Sequence, residues 1–292
     1  MTEWFLFLPQ VRLGIEDMVE RSVAAERSGF TGVAFIDHLV APMAEEQTIW
    51  EAMTLATWVA AKTETLRIGH LVLCDSMRHP AVLAKQAVTL DHASGGRFEL
   101  GLGWGSFPAE LNGFDITDAP PSERVDRMGE SLDVIRRLWD EPRAHEGADA
   151  PMSRYPMSQY PKPQAGIPLV IGGAGPRTLA LAREYADWWN LPAPNLDRLP
   201  DLAGRVGSAR ISVQQMVAPV YGDSSLEQVE RVCGRRFGHL GSGLVCGDAD
   251  ALRERFRMLS EQGVERFYVW FADFAPSESI EWFGEHVVRA GL

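Results

Sequence analysis

Residues 66–105 read LRIGHLVLCDSMRHPAVLAKQAVTLDHASGGRFELGLGWG. Two apolar runs in this stretch, Leu66–Leu73 and Phe98–Leu102, predict buried strands. Between them an apolar pattern with helical periodicity begins after Pro80 and stops at Gly95, which predicts a helix. A helix of this length is what a crossover between two parallel strands requires. The stretch therefore predicts a strand–helix–strand unit of a parallel sheet.

The second strand of this unit ends in a glycine cluster, Gly101-Leu102-Gly103-Trp104-Gly105. Binding sites in α/β barrels lie at the carboxyl ends of the strands. Glycine at such a position allows a flat ligand to lie directly against the backbone. The cluster therefore predicts part of a ligand site, with Gly103, Trp104 and Gly105 as candidate contacts.

The alternation of strands and helices continues along the whole chain. The predicted strands are Trp4–Leu8, Val33–Ile36, Leu66–Leu73, Phe98–Leu102, Leu169–Ile171, Trp188–Leu191, Ile211–Tyr221 and Arg266–Phe271. The predicted helices are Glu16–Ser28, Ile49–Lys62, the one after Pro80, Ser122–Trp139 with Ser122 as its cap, Pro176–Tyr185, Leu226–Phe237, Ala249–Gln262 and Ser277–Arg289. Eight strands that alternate with helices predict an α/β fold, a single (β/α)8 TIM barrel over residues 1–292.

Length and charge agree with an enzyme-sized barrel. The 292 residues exceed the roughly 250 that a (β/α)8 barrel needs. The formal net charge of −12 disfavours a nucleic-acid partner, which would require a basic face. Three cysteines without CxxC spacing fit a reducing compartment.

Targeting signals are missing from the sequence. No basic region precedes the apolar run at the amino terminus, unlike in a signal peptide. No window approaches the roughly 18 apolar residues of a membrane helix. We therefore expect a cytoplasmic protein that does not enter the membrane.

One region interrupts the alternation. Residues 141–166 are rich in Pro, Gly, Met and Tyr and are too long for an ordinary connection. They predict an insertion that is either a lid over the site or a mobile segment.

Two further segments follow predicted strands directly. Asp37-His38 comes after the second strand, where a histidine can donate to a ligand or move a proton. Packing of His38 and capping by Asp37 are the structural alternatives. Gly172-Gly173-Ala174-Gly175 precedes a helix, and Arg177 lies in its first turn. Backbone N–H groups at such a helix start bind anions, although the glycines can also serve only a tight turn.

The arrangement of motifs resembles the bacterial luciferase-like monooxygenase family. This family includes flavin-dependent oxidoreductases and deazaflavin (coenzyme F420)-dependent ones such as methylenetetrahydromethanopterin reductase. The segments that carry the resemblance are Phe35-Ile36-Asp37-His38, Arg78-His79-Pro80, Thr89–His92 with Gly96-Arg97, Pro168–Gly175, Tyr185–Asn190 and Gly247–Asp250. They span nearly the whole chain and indicate the family rather than a substrate.

The resemblance assigns roles to residues at the mouth of the barrel. It implies that Asp37 and His38 contact the cofactor ring and reach the substrate side. It also implies a non-prolyl cis peptide between Leu71 and Val72, forming a bulge that supports the ring. Cys74, just beyond, is then placed to touch the ring or the ribityl chain.

The resemblance also bears on the glycine segments. A phosphate of the cofactor is expected at Gly172, Gly173, Ala174, Gly175 and Arg177. Trp104 is expected to stack on the ring or to wall the pocket, the alternative being an aromatic at the rim with its N–H in water. The sugar-phosphate-oxidising deazaflavin dehydrogenases carry a proton-donating glutamate where this chain has Ser106. That difference disfavours sugar-phosphate oxidation, with Glu110 as the nearby alternative donor.

The sequence thus predicts an oxidoreductase that transfers a hydride between coenzyme F420 and a small organic substrate. Alternatives are an FMN-dependent monooxygenase and a barrel that binds a flavin or deazaflavin without turnover. No HExxH or spaced Cys/His set predicts a metal site. The resemblance implies a possible homodimer. The substrate is expected to depend on residues 141–166, Trp50, Met77 and Phe107, none of which identifies a ligand.

Overall fold

Parallel strands form a single sheet that curls into a barrel. The computed structural model describes residues 2–42, 44–140 and 157–292. The strands are β1 Glu3–Phe7, β2 Gly32–Phe35, β3 Arg67–His70, β4 Leu73–Cys74, β5 Leu100–Gly103, β6 Leu169–Gly172, β7 Trp188–Leu191, β8 Arg210–Pro219, β9 Leu244–Gly247 and β10 Val264–Phe271. Their order in the sheet is β3-β2-β1-β10-β8-β7-β6-β5-β4, and β9 pairs with β8.

Helices cover the outside of the sheet. They are α1 Ile15–Arg27, α2 Ala52–Ala60, α3 Pro80–Ser94, α4 Pro108–Gly113, α5 Pro121–Asp140, α6 Pro176–Tyr185, α7 Leu199–Leu202, α8 Leu226–Phe237, α9 Ala249–Glu261 and α10 Ser277–Phe283. Short 3-10 turns connect several of them, and a π-helical turn, Gly284–Val288, follows α10. The apolar faces of these helices pack against the outer face of the sheet in one large core.

The barrel closes between its third and fourth strand positions. β3 and β4 are two halves of one barrel strand, separated by Leu71 and Val72. β4 pairs with β5, and Ile68 of β3 forms a parallel bridge with Phe98 just before β5. The ring then holds eight strand positions, so the predicted TIM barrel is confirmed. β9, which extends the sheet beside the carboxyl end of β8, was not predicted.

Residues 66–105 follow the predicted strand–helix–strand order, with one interruption in the first strand. α3 begins at Pro80, whose missing N–H is not needed in the first turn, and ends at Gly95 in the left-handed conformation (φ 69°). The prediction of one continuous strand over Leu66–Leu73 was wrong. The strand is interrupted at Leu71 and Val72, whose peptide bond is cis, as the resemblance implied. The prediction of Ser122 as a helix cap was also wrong, since α5 already begins at Pro121.

Most of the predicted insertion lies outside the described residues, which exclude 141–156. Its last part, residues 157–166, lies along α3. The backbone N–H of Gln164 donates to Asp91 Oδ2 (2.8 Å), and the carbonyl of Lys162 lies 2.8 Å from His92 Nε2. This part of the region is therefore anchored to the outside of the barrel.

Buried charges close the amino-terminal end of the barrel. Arg266 of β10 is fully buried, and its guanidinium donates to both oxygens of Glu99 (2.6 and 2.9 Å). Its Nε donates to Glu3 Oε2 (2.9 Å). The guanidinium also stacks on Trp188 (3.8 Å to the ring centroid) and on Phe5 (4.2 Å). Paired charges with satisfied hydrogen bonds are the form in which ions are tolerated in a core. We refer to Glu3, Glu99 and Arg266 as the floor cluster.

Candidate active site

An open cavity of about 590 Å3 lies at the carboxyl ends of the strands. Its volume falls within the usual range of small-molecule sites, about 300–1,000 Å3. It brings together all the predicted catalytic and cofactor-binding residues and Phe107, whereas Trp50 and Met77, also expected to affect the substrate, do not line it. The predicted catalytic and cofactor-binding residues are Asp37, His38, Leu71, Val72, Cys74, Gly103, Trp104, Gly105, Gly172, Gly173, Ala174, Gly175 and Arg177. The sequence therefore identified the position of the cavity, while the role of each residue remains a proposal.

Asp37 lines the cavity and is held by several hydrogen bonds. Its Oδ2 accepts from the backbone N–H of Cys74 (2.7 Å) and from Arg78 Nη1, and its Oδ1 accepts from Arg78 Nη2 (2.9 Å). The side chain is nearly buried. This carboxylate therefore joins the end of β2 to β4.

His38 forms a pair with Glu110 at the edge of the cavity. His38 Nδ1 lies 3.0 Å from Glu110 Oε2. The other carboxylate oxygen, Oε1, accepts the backbone N–H groups of Leu39 (2.6 Å) and Val40 (3.1 Å). The ring of Phe107 meets the imidazole edge to face at 5.6 Å. His38 is thus fixed on one side and lines the cavity.

The inner wall of the cavity depends on the close approach of β5 to the β3–β4 strand. A Cβ atom added at Gly103 would lie 2.4 Å from Val72 Cγ2, and one added at Gly101 would lie 1.8 Å from the carbonyl oxygen of His70. Real Cβ atoms do not approach other atoms this closely, so both positions require glycine. The wall at this point is consequently flat and made of backbone and Val72.

Cys74 lies on the same wall and is mostly buried. Burial raises the pKa of the Cys74 thiol to about 11. The thiol is therefore protonated at neutral pH and acts as a small apolar wall group rather than as a nucleophile.

Trp104 forms the neighbouring wall with support from α5. The guanidinium of the buried Arg124 lies 5.2 Å from the centroid of the indole, within the range of a cation–π interaction. Arg124 Nη1 donates to the carbonyl of Ala119 (2.7 Å). Ser76 Oγ donates to the carbonyl of Trp104 (3.0 Å). The backbone and the ring of Trp104 are thus both held in place.

The glycine loop between β6 and α6 lines the cavity next to Val72, since a Cβ added at Gly172 would lie 3.5 Å from Val72 Cγ1. Gly175 is the N-cap of α6, and no side chain caps this helix. The first N–H groups of a helix have no partner within it, and they point toward any anion placed there. Gly173 has φ 137°, where other residues are strained, and its N–H donates to the carbonyl of Asn190 (3.0 Å). Arg177 pairs with Asp126 at 3.0 Å, and both side chains are exposed.

A sequence model described as luciferase-like monooxygenase matches residues 5–210. The match covers well over half of the chain. The chain belongs to the luciferase-like monooxygenase family. The resemblance drawn from the motifs is therefore confirmed.

Relatives within the family carry different activities. The chain is 32% identical over 179 residues to an F420-dependent glucose-6-phosphate dehydrogenase of Microbacterium testaceum, covering 60% of this chain and 52% of the relative. It is 36% identical over 129 residues to a 4-hydroxyprotoasukamycin monooxygenase of Streptomyces nodosus subsp. asukaensis, covering 43% of this chain and 34% of that protein. The matched stretches thus span about half or less of these relatives.

Solved structures of luciferase-like proteins share the fold over their whole length. An F420-dependent secondary alcohol dehydrogenase in complex with an F420-acetone adduct superposes with a TM-score of 0.80 and 19% identity, covering 100% of this chain and 99% of that chain. The monooxygenase RslO1 from Streptomyces bottropensis superposes with a TM-score of 0.79 and 17% identity, covering 99% of each. At this identity the likeness establishes the fold alone.

Several residues of the luciferase-like site were not singled out from the sequence. Asn190 and Gln214 line the cavity from β7 and β8, and Ser122 and Val125 line it from α5. A polar residue at the carboxyl end of an apolar barrel strand, as in WWNL, is the signal that could have found Asn190. Ser106 lines the cavity and is exposed, whereas Glu110 is buried.

The described residues contain neither a metal-binding cluster nor a membrane-spanning helix. In residues 2–42, 44–140 and 157–292, no three His, Cys, Asp or Glu side chains are grouped to hold a metal ion. Across the described part of the chain, none of the helices has the length and apolar character needed to cross a membrane.

Proposed function

We propose that this protein binds coenzyme F420 in the cavity and transfers a hydride between it and a small organic substrate. The proposal depends on one observation. Glu110 fixes His38 at the edge of a largely apolar cavity, one wall of which is flat. Among the chain's relatives, the F420-dependent glucose-6-phosphate dehydrogenase supports the choice of cofactor.

The residues of the cavity fit a deazaflavin. The flat wall of Val72 and Gly103 has the shape needed by a planar ring, and no side chain can be added at Gly103 without a collision. The uncapped start of α6 offers N–H groups to a phosphate, and Arg177 can add a charge-assisted contact there. We assign the ring to the wall and the phosphate to the glycine loop.

Bound F420 supplies the two-electron hydride chemistry. The protein's own contribution is to orient the reactants and to handle the proton. His38 takes a proton from a substrate hydroxyl when a hydride leaves the substrate, and it returns a proton to the oxygen in the reverse direction. Trp104 and Phe107 exclude water from the reacting groups.

An FMN-dependent monooxygenase is the second candidate. The identity of 36% with the 4-hydroxyprotoasukamycin monooxygenase favours it. The glycine loop would hold the phosphate of FMN in the same way. A barrel that binds either cofactor without turnover is the third candidate. As parts of the same proposal, we place the protein in the cytoplasm as a homodimer. Its ligand is a small-molecule substrate and not a nucleic acid.

Titration of the purified apoprotein with F420 and with FMN, followed by fluorescence, tests the proposal. We expect F420 to bind more tightly, and added alcohols or ketones to change its redox state. Tighter binding of FMN, followed by oxygen uptake, would replace the proposal with the monooxygenase. Tight F420 binding without redox exchange in either direction would favour the binding barrel.

A variant at the helix start tests the assignment of the phosphate. Gly175 has φ −78°, and an added Cβ would lie 3.8 Å from Thr178 Oγ1, so an aspartate fits there. Asp is a favoured N-cap residue, so Gly175→Asp should keep the fold while placing a negative charge in the anion site. We expect F420 affinity to fall by at least about tenfold, which corresponds to roughly 1.4 kcal/mol. Gly204→Asp, which adds the same charge at an exposed glycine with no close neighbours, is the control.

A further inference from the structure

Glu110 is buried, and both of its oxygens are engaged. Only 2% of the side chain is exposed, against 22% for His38. Oε1 accepts two backbone N–H groups, and Oε2 faces His38 Nδ1. We infer that Glu110 is a positioning residue that fixes the tautomer of His38, rather than the proton donor that its proximity in sequence suggested.

The donors and acceptors around the Glu110 carboxylate determine which nitrogen of His38 bears the proton. An ionised carboxylate can only accept hydrogen bonds. The short contact at Oε2 (3.0 Å) therefore requires a proton on His38 Nδ1. A neutral imidazole carries one proton, so Nε2 is left with a free lone pair. Nε2 of His38 then offers a proton acceptor, and not a donor, to a molecule bound in the cavity.

The consequence for the reaction rests on the proposed function. When an alcohol is oxidised, the carbon loses a hydride, and the hydroxyl loses a proton. Nε2 with a lone pair can take that proton, while Nε2 that already bears a proton cannot. Glu110 thus sets the protonation pattern that the oxidation requires, although its own oxygens are already occupied by His38 and by the backbone.

Replacement of Glu110 by glutamine should reverse the donor and the acceptor in the hydrogen bond between residue 110 and His38. The amide has one acceptor oxygen and one NH2 donor. The N–H groups of Leu39 and Val40 both point at the Oε1 position, so the amide oxygen must occupy it. The NH2 group then faces His38 Nδ1, which has to be the unprotonated nitrogen. Glu110→Gln should therefore move the His38 proton from Nδ1 to Nε2 while keeping the backbone contacts.

Nitrogen NMR of the histidine-labelled apoprotein at alkaline pH tests this without any cofactor. We expect the His38 proton on Nδ1 in the native protein and on Nε2 in Glu110→Gln, with the resonance assigned from the spectrum of His38→Gln. Glu227→Gln, at an exposed position on α8, should leave the His38 resonances unchanged. A proton on Nε2 in the native protein, or no change in Glu110→Gln, would overturn the inference. Glu110→Asp serves as a second variant if Glu110→Gln does not fold, since the shorter carboxylate should keep the proton on Nδ1.

Kinetics separate this inference from the proposed function. If F420 is the cofactor, Glu110→Gln should lower kcat for alcohol oxidation by about 10² to 10⁴-fold, the range of general base catalysis. The affinity of the Glu110→Gln variant for F420 should change less than about threefold, which is less than the loss of one hydrogen bond to the cofactor typically causes. Failure of the native protein to bind F420 would overturn the proposed function and leave the NMR result standing. An unchanged kcat in a protein whose tautomer has moved would overturn the catalytic part of the inference.

Discussion

Arg78 holds both oxygens of the Asp37 carboxylate through its two terminal nitrogens. Arg78 Nη2 also reaches Glu51 Oε1 (3.3 Å), and the carbonyl of Arg78 accepts from Arg127 Nη2 (2.7 Å). A single arginine therefore joins the end of β2, the start of α2 and the helix α5 beneath the cavity. The carboxylate beside His38 is thus a structural anchor.

Replacement of Arg78 should destabilise the folded protein. Removing one partner of a buried ion pair leaves an unpaired charge, which typically destabilises a protein by about 3–5 kcal/mol. We expect Arg78→Met to lower the free energy of unfolding in urea by that amount. Arg257→Ala, which removes exposed ion pairs on α9, should leave the urea midpoint unchanged. If Arg78→Met lowered the free energy of unfolding by less than about 1 kcal/mol, as the loss of an exposed ion pair does, the anchoring role would be contradicted.

The flat wall at Gly103 should not tolerate a methyl group. In Gly103→Ala the new Cβ would overlap Val72 Cγ2, so Val72 or β5 must move into the cavity. We expect the dissociation constant for F420 to rise at least about tenfold, as small displacements in a binding site typically cause. Gly113→Ala on α4 has nothing within 4 Å of the new Cβ and is the matched control. Equal affinities in the two variants would show that the ring does not lie on this wall.

His70 should make the protein sensitive to acid. It is buried beside Phe35 and Phe98, and Nε2 lies 3.2 Å from the carbonyl of Ala52. Burial lowers the pKa of His70 from 6.5 to about 4. Because the unfolded chain then binds more protons than the folded one between these values, stability is full above pH 6.5 and falls as the pH drops to 4.

The size of this acid effect can be measured by urea unfolding across the pH range. At about 1.4 kcal/mol per pKa unit, His70 should account for a loss of up to about 3 kcal/mol between neutral and acid pH. His70→Gln keeps an N–H donor for Ala52 but does not titrate, so its stability should fall less over the same interval. If the free energy of unfolding fell equally with pH in the two proteins, His70 would be excluded as the source of the acid sensitivity.

The floor cluster should matter for stability and not for the reaction. Glu99→Gln removes the charge that faces Arg266 with two hydrogen bonds and leaves the guanidinium partly unpaired in the core. We expect a loss of about 3 kcal/mol or more in unfolding free energy. Since Glu99 does not line the cavity, kcat of the folded variant should match that of the native protein. A fall in kcat at full folding would show that the floor shapes the site.

The sequence predicted the fold well wherever a pattern was local. Pro176–Tyr185 and Trp188–Leu191 were predicted with the bounds observed, because Pro at the first turn and a run of bulky apolar residues define their ends. β9 was missed because its apolar run, Leu244-Val245-Cys246, is short and follows a glycine-rich turn. Periodicity carries too little information over so few residues.

Contacts between distant residues could not be predicted in the same way. Glu110 lies 72 positions from His38, and Arg266 lies 167 positions from Glu99. Only the winding of the barrel brings these pairs together, and no local pattern encodes their distance. The sequence therefore found many of the residues that line the candidate site, but not the hydrogen bonds that decide what each one does.

The floor cluster has a kinetic consequence. Arg266, stacked on Phe5 and Trp188 and paired with Glu99, fills the amino-terminal end of the barrel, so among the described residues the barrel axis offers no second way into the cavity. If the cofactor lies on the inner wall, whatever reacts with it must enter afterwards and leave first. Steady-state kinetics should then show compulsory-order binding, with the cofactor trapped for as long as a substrate or product occupies the mouth.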